Sequence, residues 1–215
     1  MKTNTIITIG REYGSAGREI GYKVADAFGI KLYDKEMLSR AAKESGICEE
    51  IFETHDEKPT NSFLYSLVMD TYSMGYSGNT YTDMPINHKV FLAQFDAIKK
   101  IADEGPCILV GRCADYALES YKNVVSVFIH ADMSARIRRI ARLYDLTDAK
   151  AKERIVKTDK SRASYYNYYT NKKWSNADSY ELCLTSSELG IDGTAQAIIN
   201  YVQLKESIAC DKRII

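Results

Sequence analysis

Near the start of the chain a glycine-rich turn separates two apolar runs. Thr5-Ile6-Ile7-Thr8-Ile9 comes first, then Gly10-Arg-Glu-Tyr-Gly14-Ser15-Ala16-Gly17-Arg18, then Glu19-Ile20-Gly21-Tyr22-Lys23-Val24-Ala25-Asp26-Ala27-Phe28. The first run is short, β-branched and bounded by glycine, which predicts a buried strand. In the second, Ile20, Val24, Ala27 and Phe28 recur at helical spacing and Gly29 follows as a stop. A strand, a glycine turn and a helix in that order make a site for phosphate. Glycine lets the backbone approach an anion, and N–H groups at the helix start point toward it. The alternative is a tight turn that binds nothing.

The chain has 215 residues, enough for one domain with a full core and room for an insertion. Its 29 basic residues balance its 29 acidic ones, which removes any global electrostatic case for nucleic acid or an anionic membrane. The apolar run after Met1-Lys2-Thr3-Asn4 is too short for a signal peptide or a membrane span. Five scattered cysteines without C-x-x-C spacing argue against a disulfide framework or a zinc site. The three histidines, His55, His88 and His130, form no ligand pattern. A cytoplasmic protein is expected, with its oligomeric state left open.

Further along, residues 30–34 read as a second strand ending in Asp34, and residues 35–46 as a helix burying Met37, Leu38 and Ala41. The pattern from 47 to 94 is looser, with helical stretches at 49–52 and 62–69. A Tyr/Ser/Gly segment without periodicity follows at 72–81. A helix returns at 90–102, stopped by Gly105-Pro106, and strands follow at 107–112 and 124–131. The second of these is apolar enough to be buried on both faces, as in a parallel sheet covered by helices. Residues 133–173 read as charged helix carrying Arg136, Arg138, Arg139 and Arg142. A fifth strand at 180–185 and a closing helix at 193–205 complete an α/β chain.

The loop departs from the common pattern G-x-x-x-x-G-K-S/T. Gly10 and Gly17 stand seven apart, Arg18 takes the lysine's place and Glu19 that of the hydroxyl residue. An arginine still grips phosphate oxygens bidentately. The same glycines also form a dinucleotide fingerprint lacking its first glycine, with Asp34 about twenty residues on, which keeps an oxidoreductase in play. Three other features have plain readings of their own. Arg40 has Glu36 four residues before it, Asp159 and Arg162 share a helical face, and the tyrosines at 165, 166, 168 and 169 suit either packing or base stacking. Cys113 has no histidine near it in sequence to activate a nucleophile.

The ordered set of these motifs resembles the cytidylate kinase-like family of P-loop kinases, and the resemblance spans nearly the whole chain. Gly-Arg-Glu-Tyr-Gly-Ser-Ala-Gly-Arg-Glu-Ile is similar to that family's own loop, with Arg for Lys. Asp34 to Arg40 is similar to D-S/T-G-x-x-Y-R, with Lys35 departing from the small hydroxyl residue. Val110-Gly111-Arg112 is similar to D-G-R with its Asp missing, and Asp159-Lys160-Ser161-Arg162 is similar to D-x-x-R. The resemblance implies a P-loop NTPase-type parallel sheet of about five strands with helices on both faces. It implies one domain over 1–215, an acceptor-binding helical insertion at about 35–100 and a helical lid at about 134–175.

It further implies transfer of the ATP γ-phosphoryl group to a nucleoside monophosphate, CMP or dCMP first, with Mg2+. Gly10, Gly14, Ser15, Ala16, Gly17, Arg18 and Glu19 would bind the donor. Asp34, Arg40, Arg112, Asp159 and Arg162 would bind the acceptor, and Arg18, Arg138 and Arg142 would serve catalysis. Ser15, Glu19 and Asp34 are the candidates to meet the metal, with none assigned. A protein that binds a nucleotide or another phosphorylated ligand without turnover is the principal alternative, since the loop lysine, its hydroxyl neighbour and the D of D-G-R are all absent.

Overall fold

Apolar β-branched runs, at residues 6–9, 107–110 and 124–129, form the centre of a parallel sheet. The computed structural model describes residues 2–34, 36–46 and 86–211. The stretches read above at 49–52, 62–69 and 72–81, Lys35, and the side chains of Met37, Leu38 and Ala41 lie outside the described residues. Among the described residues the strands are β1 (Ile6–Arg11), β2 (Lys31–Tyr33), β3 (Cys107–Val110), β4 (Val124–His130) and β5 (Leu182–Thr185). They form one sheet in the order β2-β3-β1-β4-β5, and every pairing is parallel. In a dinucleotide fold of order 3-2-1-4-5-6 the second strand lies beside the first. Here β3 lies there instead, and this corrects the dinucleotide alternative.

Helices α1 (Gly17–Phe28), α2 (Glu36–Ser45), α3 (Ile86–Asp103), α4 (Ala114–Ala117), α5 (Met133–Tyr144), α6 (Asp148–Thr170) and α7 (Ser186–Asp211) complete the described fold. Side chains alternate across each strand, so β1 serves two cores. Ile7 and Ile9 pack with Ile20, Val24 and Phe28 of α1 and with Ile198 and Val202 of α7. On the other face Ile6 packs with Ile98 and Ile101 of α3 and with Ala114 and Ala117 of α4. Each such aliphatic side chain, when fully buried, contributes about 1.5–3 kcal/mol. Helices on both faces of a parallel sheet are therefore what the apolar strands require.

The stretch expected as one charged helix is two. α5 ends at Asp145, whose φ of 51° is left-handed, and α6 starts after Thr147, whose hydroxyl accepts the Lys150 amide at 3.4 Å. Ile140 of α5 packs on Ala151 and Ile155 of α6. This pair projects beyond the sheet beside the glycine turn. The closing helix starts earlier than its periodicity indicated, at Ser186, with a kink at Gly190. No helix among the described residues is long and apolar enough to cross a membrane.

Candidate functional site

The glycine turn leaves β1 with β3 on one side and β4 on the other, at the carboxyl end of the sheet. Connections run to opposite sides from that point, and open parallel sheets receive ligands there. Gly14 is left-handed at φ 89°, and a Cβ on it would stand 3.2 Å from Arg136 Cβ and 3.1 Å from Ile140 Cγ1. A Cβ on Gly17 would stand 2.7 Å from Arg11 Cβ, so the last loop glycine is required by close approach. Ala16 is also left-handed, at φ 63°, and gives α1 no side-chain cap. A left-handed non-glycine costs about 1–2 kcal/mol, and a helix start without a side-chain cap is suited to an anion. Ser15 faces away from this mouth: it is buried, and its hydroxyl donates to the Glu12 carbonyl at 2.9 Å.

Above the turn opens a cleft of ≈560 Å³, within the range of about 300–1,000 Å³ usual for ligand sites. Gly14, Ala16, Gly17, Arg18, Glu19 and Asp34 all line it. Arg18 Nε lies 3.1 Å from Asp34 Oδ2, and Arg112 Nη1 lies 2.9 Å from Asp34 Oδ1. Asp34 at the end of β2 thus joins the start of α1 to the turn after β3. Arg112 is buried and left-handed at φ 54°, between Gly111 at 76° and Cys113 at 56°. Three consecutive left-handed residues are sparsely populated backbone, the kind that collects at functional sites. Arg40 does not line this cleft. Its guanidinium bridges Glu44 at 2.8 Å and Glu104 at 2.5 Å, and the Glu104 hydrogen bond first, then Glu44, holds it above its ordinary pKa.

The α5–α6 pair, where a lid was expected, supplies a different set of charges from the one expected. Arg139 reaches the cleft and pairs with Glu19 at 2.5 Å. Arg138 and Arg142 are exposed on another face of α5 and do not line the cleft. Helical phase explains this: Arg136, Arg139, Ile140 and Leu143 share a stripe, whereas 138 and 142 lie off it. Asp159 accepts the Tyr13 amide at 2.8 Å and pairs with Arg136. Arg162 Nη1 donates to the Arg11 carbonyl at 3.4 Å, and its guanidinium lies 5.6 Å from the centre of the Tyr13 ring. Sequence reasoning missed Glu12, Tyr13 and the buried position of Arg136. The available signal was the spacing of Arg136 and Ile140, one turn apart on the apolar stripe.

A second, water-sized cavity of ≈20 Å³ lies behind the turn, where Gly10, Arg112 and Arg162 meet Asp115, Tyr166 and Trp174. Tyr166 Oη donates to Asp115 at 2.6 Å, and burial pushes the Asp115 carboxyl above its ordinary value. The tyrosines of α6 serve packing. Tyr169 stacks on Phe91 of α3 with ring centres 4.0 Å apart, and Tyr165 Oη donates to Gln94 at 3.1 Å. Cys113 is buried among these aromatic side chains.

The uncapped start of α1 and the Arg18 guanidinium give the cleft donors for an anion. Among the described residues no three His, Cys, Asp or Glu side chains converge on a metal position. Magnesium needs no such cage, because it keeps several waters and takes one or two carboxylates plus phosphate oxygens. Glu12, Glu19 and Asp34 are the carboxylates that line the cleft, and Glu12 is already held by Arg136 and the Ala131 amide.

The sequence model of the cytidylate kinase-like family matches residues 6–188. The crystal structure of an uncharacterized protein from Eubacterium ventriosum superposes with a TM-score of 0.68 at 25% identity, covering 93% of this chain and 98% of that one. Shikimate kinase from Bacteroides thetaiotaomicron gives 0.52 at 11% identity, over 93% of this chain and 98% of its own. A gluconokinase from Sinorhizobium meliloti gives 0.50 at 11%, over 98% and 99%. The likeness to these two kinases is one of fold, a five-stranded parallel α/β sheet of the P-loop kinase type. No curated protein matches the sequence.

Proposed function

The chain belongs to the cytidylate kinase-like family, and on that premise we propose that it transfers the γ-phosphoryl group of ATP to a nucleoside monophosphate, CMP or dCMP first. The observation that carries the reading is the bridge Arg18–Asp34–Arg112, which makes the glycine turn and the buried arginine after β3 parts of one site. Phosphoryl transfer asks a protein mainly for positioning and charge neutralisation. The start of α1 and Arg18 hold the donor phosphates, while Arg112 and Arg162 orient the acceptor phosphate. Arg139 brings a lid charge over the transferred group. An acceptor that is already a phosphate oxyanion needs no general base. Magnesium, when bound, spreads the developing phosphate charge, and Glu19 and Asp34 are the side chains that would meet its water shell. A cytoplasmic setting and the absence of nucleic-acid and membrane partners belong to the same proposal.

A coupled ADP-release assay over the common nucleoside monophosphates, with and without Mg2+, tests it. Turnover with one or two pyrimidine monophosphates, lost in Arg18→Ala, is the expected result. Turnover with none of them removes the proposal.

One contact favours a second reading. Glu19 stands where a P-loop hydroxyl would stand and is paired with Arg139. A carboxylate there repels phosphate unless a cation intervenes. A nucleotide-binding protein without turnover would bind ATP in calorimetry and release no ADP with any acceptor.

A further inference from the structure

On the function proposed above, the arginines of the α5–α6 lid act by facing a bound phosphate. Here the most deeply buried arginine of the lid faces the protein itself. Arg136 is 3% exposed, and its guanidinium is shared among three acceptors. Nη1 lies 3.0 Å from the Glu12 carboxylate, Nε donates to the Tyr13 carbonyl at 2.8 Å, and Nη2 pairs with Asp159. The acceptors are themselves fixed. Glu12 Oε2 takes the Ala131 amide at 3.0 Å, and Asp159 Oδ1 takes the Tyr13 amide at 2.8 Å. Residues 12 and 13 of the glycine turn are therefore gripped from α5 and α6 together.

Two independent contacts repeat the connection without charge pairing. The Tyr13 ring packs against the Ile140, Ala151 and Ile155 cluster inside the lid, with the guanidinium of Arg154 5.7 Å from its centre. Burial pushes its phenol up to about 12. At the next residue the chain runs so close to α5 that a Cβ on Gly14 would stand 3.3 Å from the Arg136 carbonyl oxygen. A salt-bridged fork, an aromatic plug and a backbone contact all join the same two elements.

We infer that the glycine turn and the base of the lid form one preassembled unit, with Arg136 and Tyr13 as the positioning residues that set the loop's phosphate-binding conformation. The part of this inference that concerns ATP rests on the function proposed above. In this arrangement the base of the lid keeps its place on the turn when nucleotide binds. Arg136 also offsets two carboxylates placed beside an anion site, so removing its charge would confuse tethering with repulsion. Arg136→Lys and Tyr13→Ala avoid this by leaving the net charge unchanged.

The test is amide hydrogen exchange on the full chain without nucleotide, paired with calorimetric titration of ATP. In Arg136→Lys and in Tyr13→Ala, exchange at amides 12–15 is expected to speed up by about tenfold or more, while β1 and β4 keep wild-type protection. Tyr13→Phe, which keeps the ring, is expected to behave as wild type. Loop amides that exchange at the wild-type rate in both variants would overturn the unit. If the wild type binds no ATP, the proposed function falls, and the exchange result still decides the tether. If the wild type and both variants bind ATP with equal affinity, the positioning role is overturned.

Discussion

Where the glycine turn meets the lid, Arg136 is almost wholly buried and divided among Glu12, Tyr13 and Asp159; across the cleft, Arg18 is 53% exposed and reaches Asp34 through Nε at 3.1 Å. The first arginine cannot leave its partners without stranding two carboxylates in a partly desolvated place, which is costly. The second is half exposed, and its buried partner Asp34 keeps Arg112 at 2.9 Å, so an incoming phosphate can take Arg18 over without stranding a carboxylate. The difference separates residues that hold the site's shape from residues ready to exchange an internal partner for a ligand. Arg139, 22% exposed on a half-exposed Glu19, belongs with Arg18 in this respect.

The largest effect is expected at the point where turn and lid touch. Gly14→Val places a branched Cβ at φ 89° against Arg136 and Ile140, which should cost about 3–5 kcal/mol of stability through strain and overpacking. Denaturant unfolding measures it, and a loss below about 1 kcal/mol would mean that turn and lid are not in rigid contact. At the turn after β3, Arg112→Met leaves Asp34 with Arg18 as its remaining described cation. A stability loss of about 2–3 kcal/mol is expected, smaller than for a fully stranded buried charge because Arg18 still compensates. A loss equal to that of Gly14→Val would erase the contrast between the two sides.

The smallest effect is a pH dependence where α6 is anchored on α3. His88 is 2% exposed with Nε2 3.4 Å from the Tyr168 hydroxyl, and burial lowers its pKa from 6.5. The folded state thus binds its proton less readily than the unfolded chain does. The stabilisation is fully present above pH 6.5, and it is lost as pH falls from there toward the depressed folded value. Urea titrations between pH 7.5 and 5 should show this slope in the wild type and a shallower one in His88→Phe. The same slope in both would place the titrating group elsewhere.

The strand–turn–helix at the start of the chain was legible because each of its signals is local: a β-branched run, glycines, and a helical stripe from Ile20 to Phe28. The placing of Asp34 and Arg112 beyond strand ends was legible for the same reason, since both follow short apolar strands. The wiring of the lid was hidden. Glu12 and Tyr13 look like spacer residues of the loop, and their partners Arg136 and Asp159 lie more than a hundred residues away. The choice of Arg139 over Arg138 and Arg142 depends on the rotation of α5, which one apolar residue more or less in the count reverses. The break at Asp145 lacked glycine or proline, so the charged stretch read as continuous helix. The tyrosine run of α6 favoured packing over base stacking without naming partners, and its rings turn to Phe91, Gln94 and Asp115.

In the proposed function residues 10–18 receive the phosphates of a nucleotide, and Arg18 gives up Asp34 to hold them. Calorimetric titration of ATP with Mg2+ into the wild type and Arg18→Ala tests it most directly. Saturable binding by the wild type is expected, with a loss of about tenfold to a hundredfold in the variant, the range of one or two charge-assisted hydrogen bonds. Equal affinity in the two proteins would contradict it.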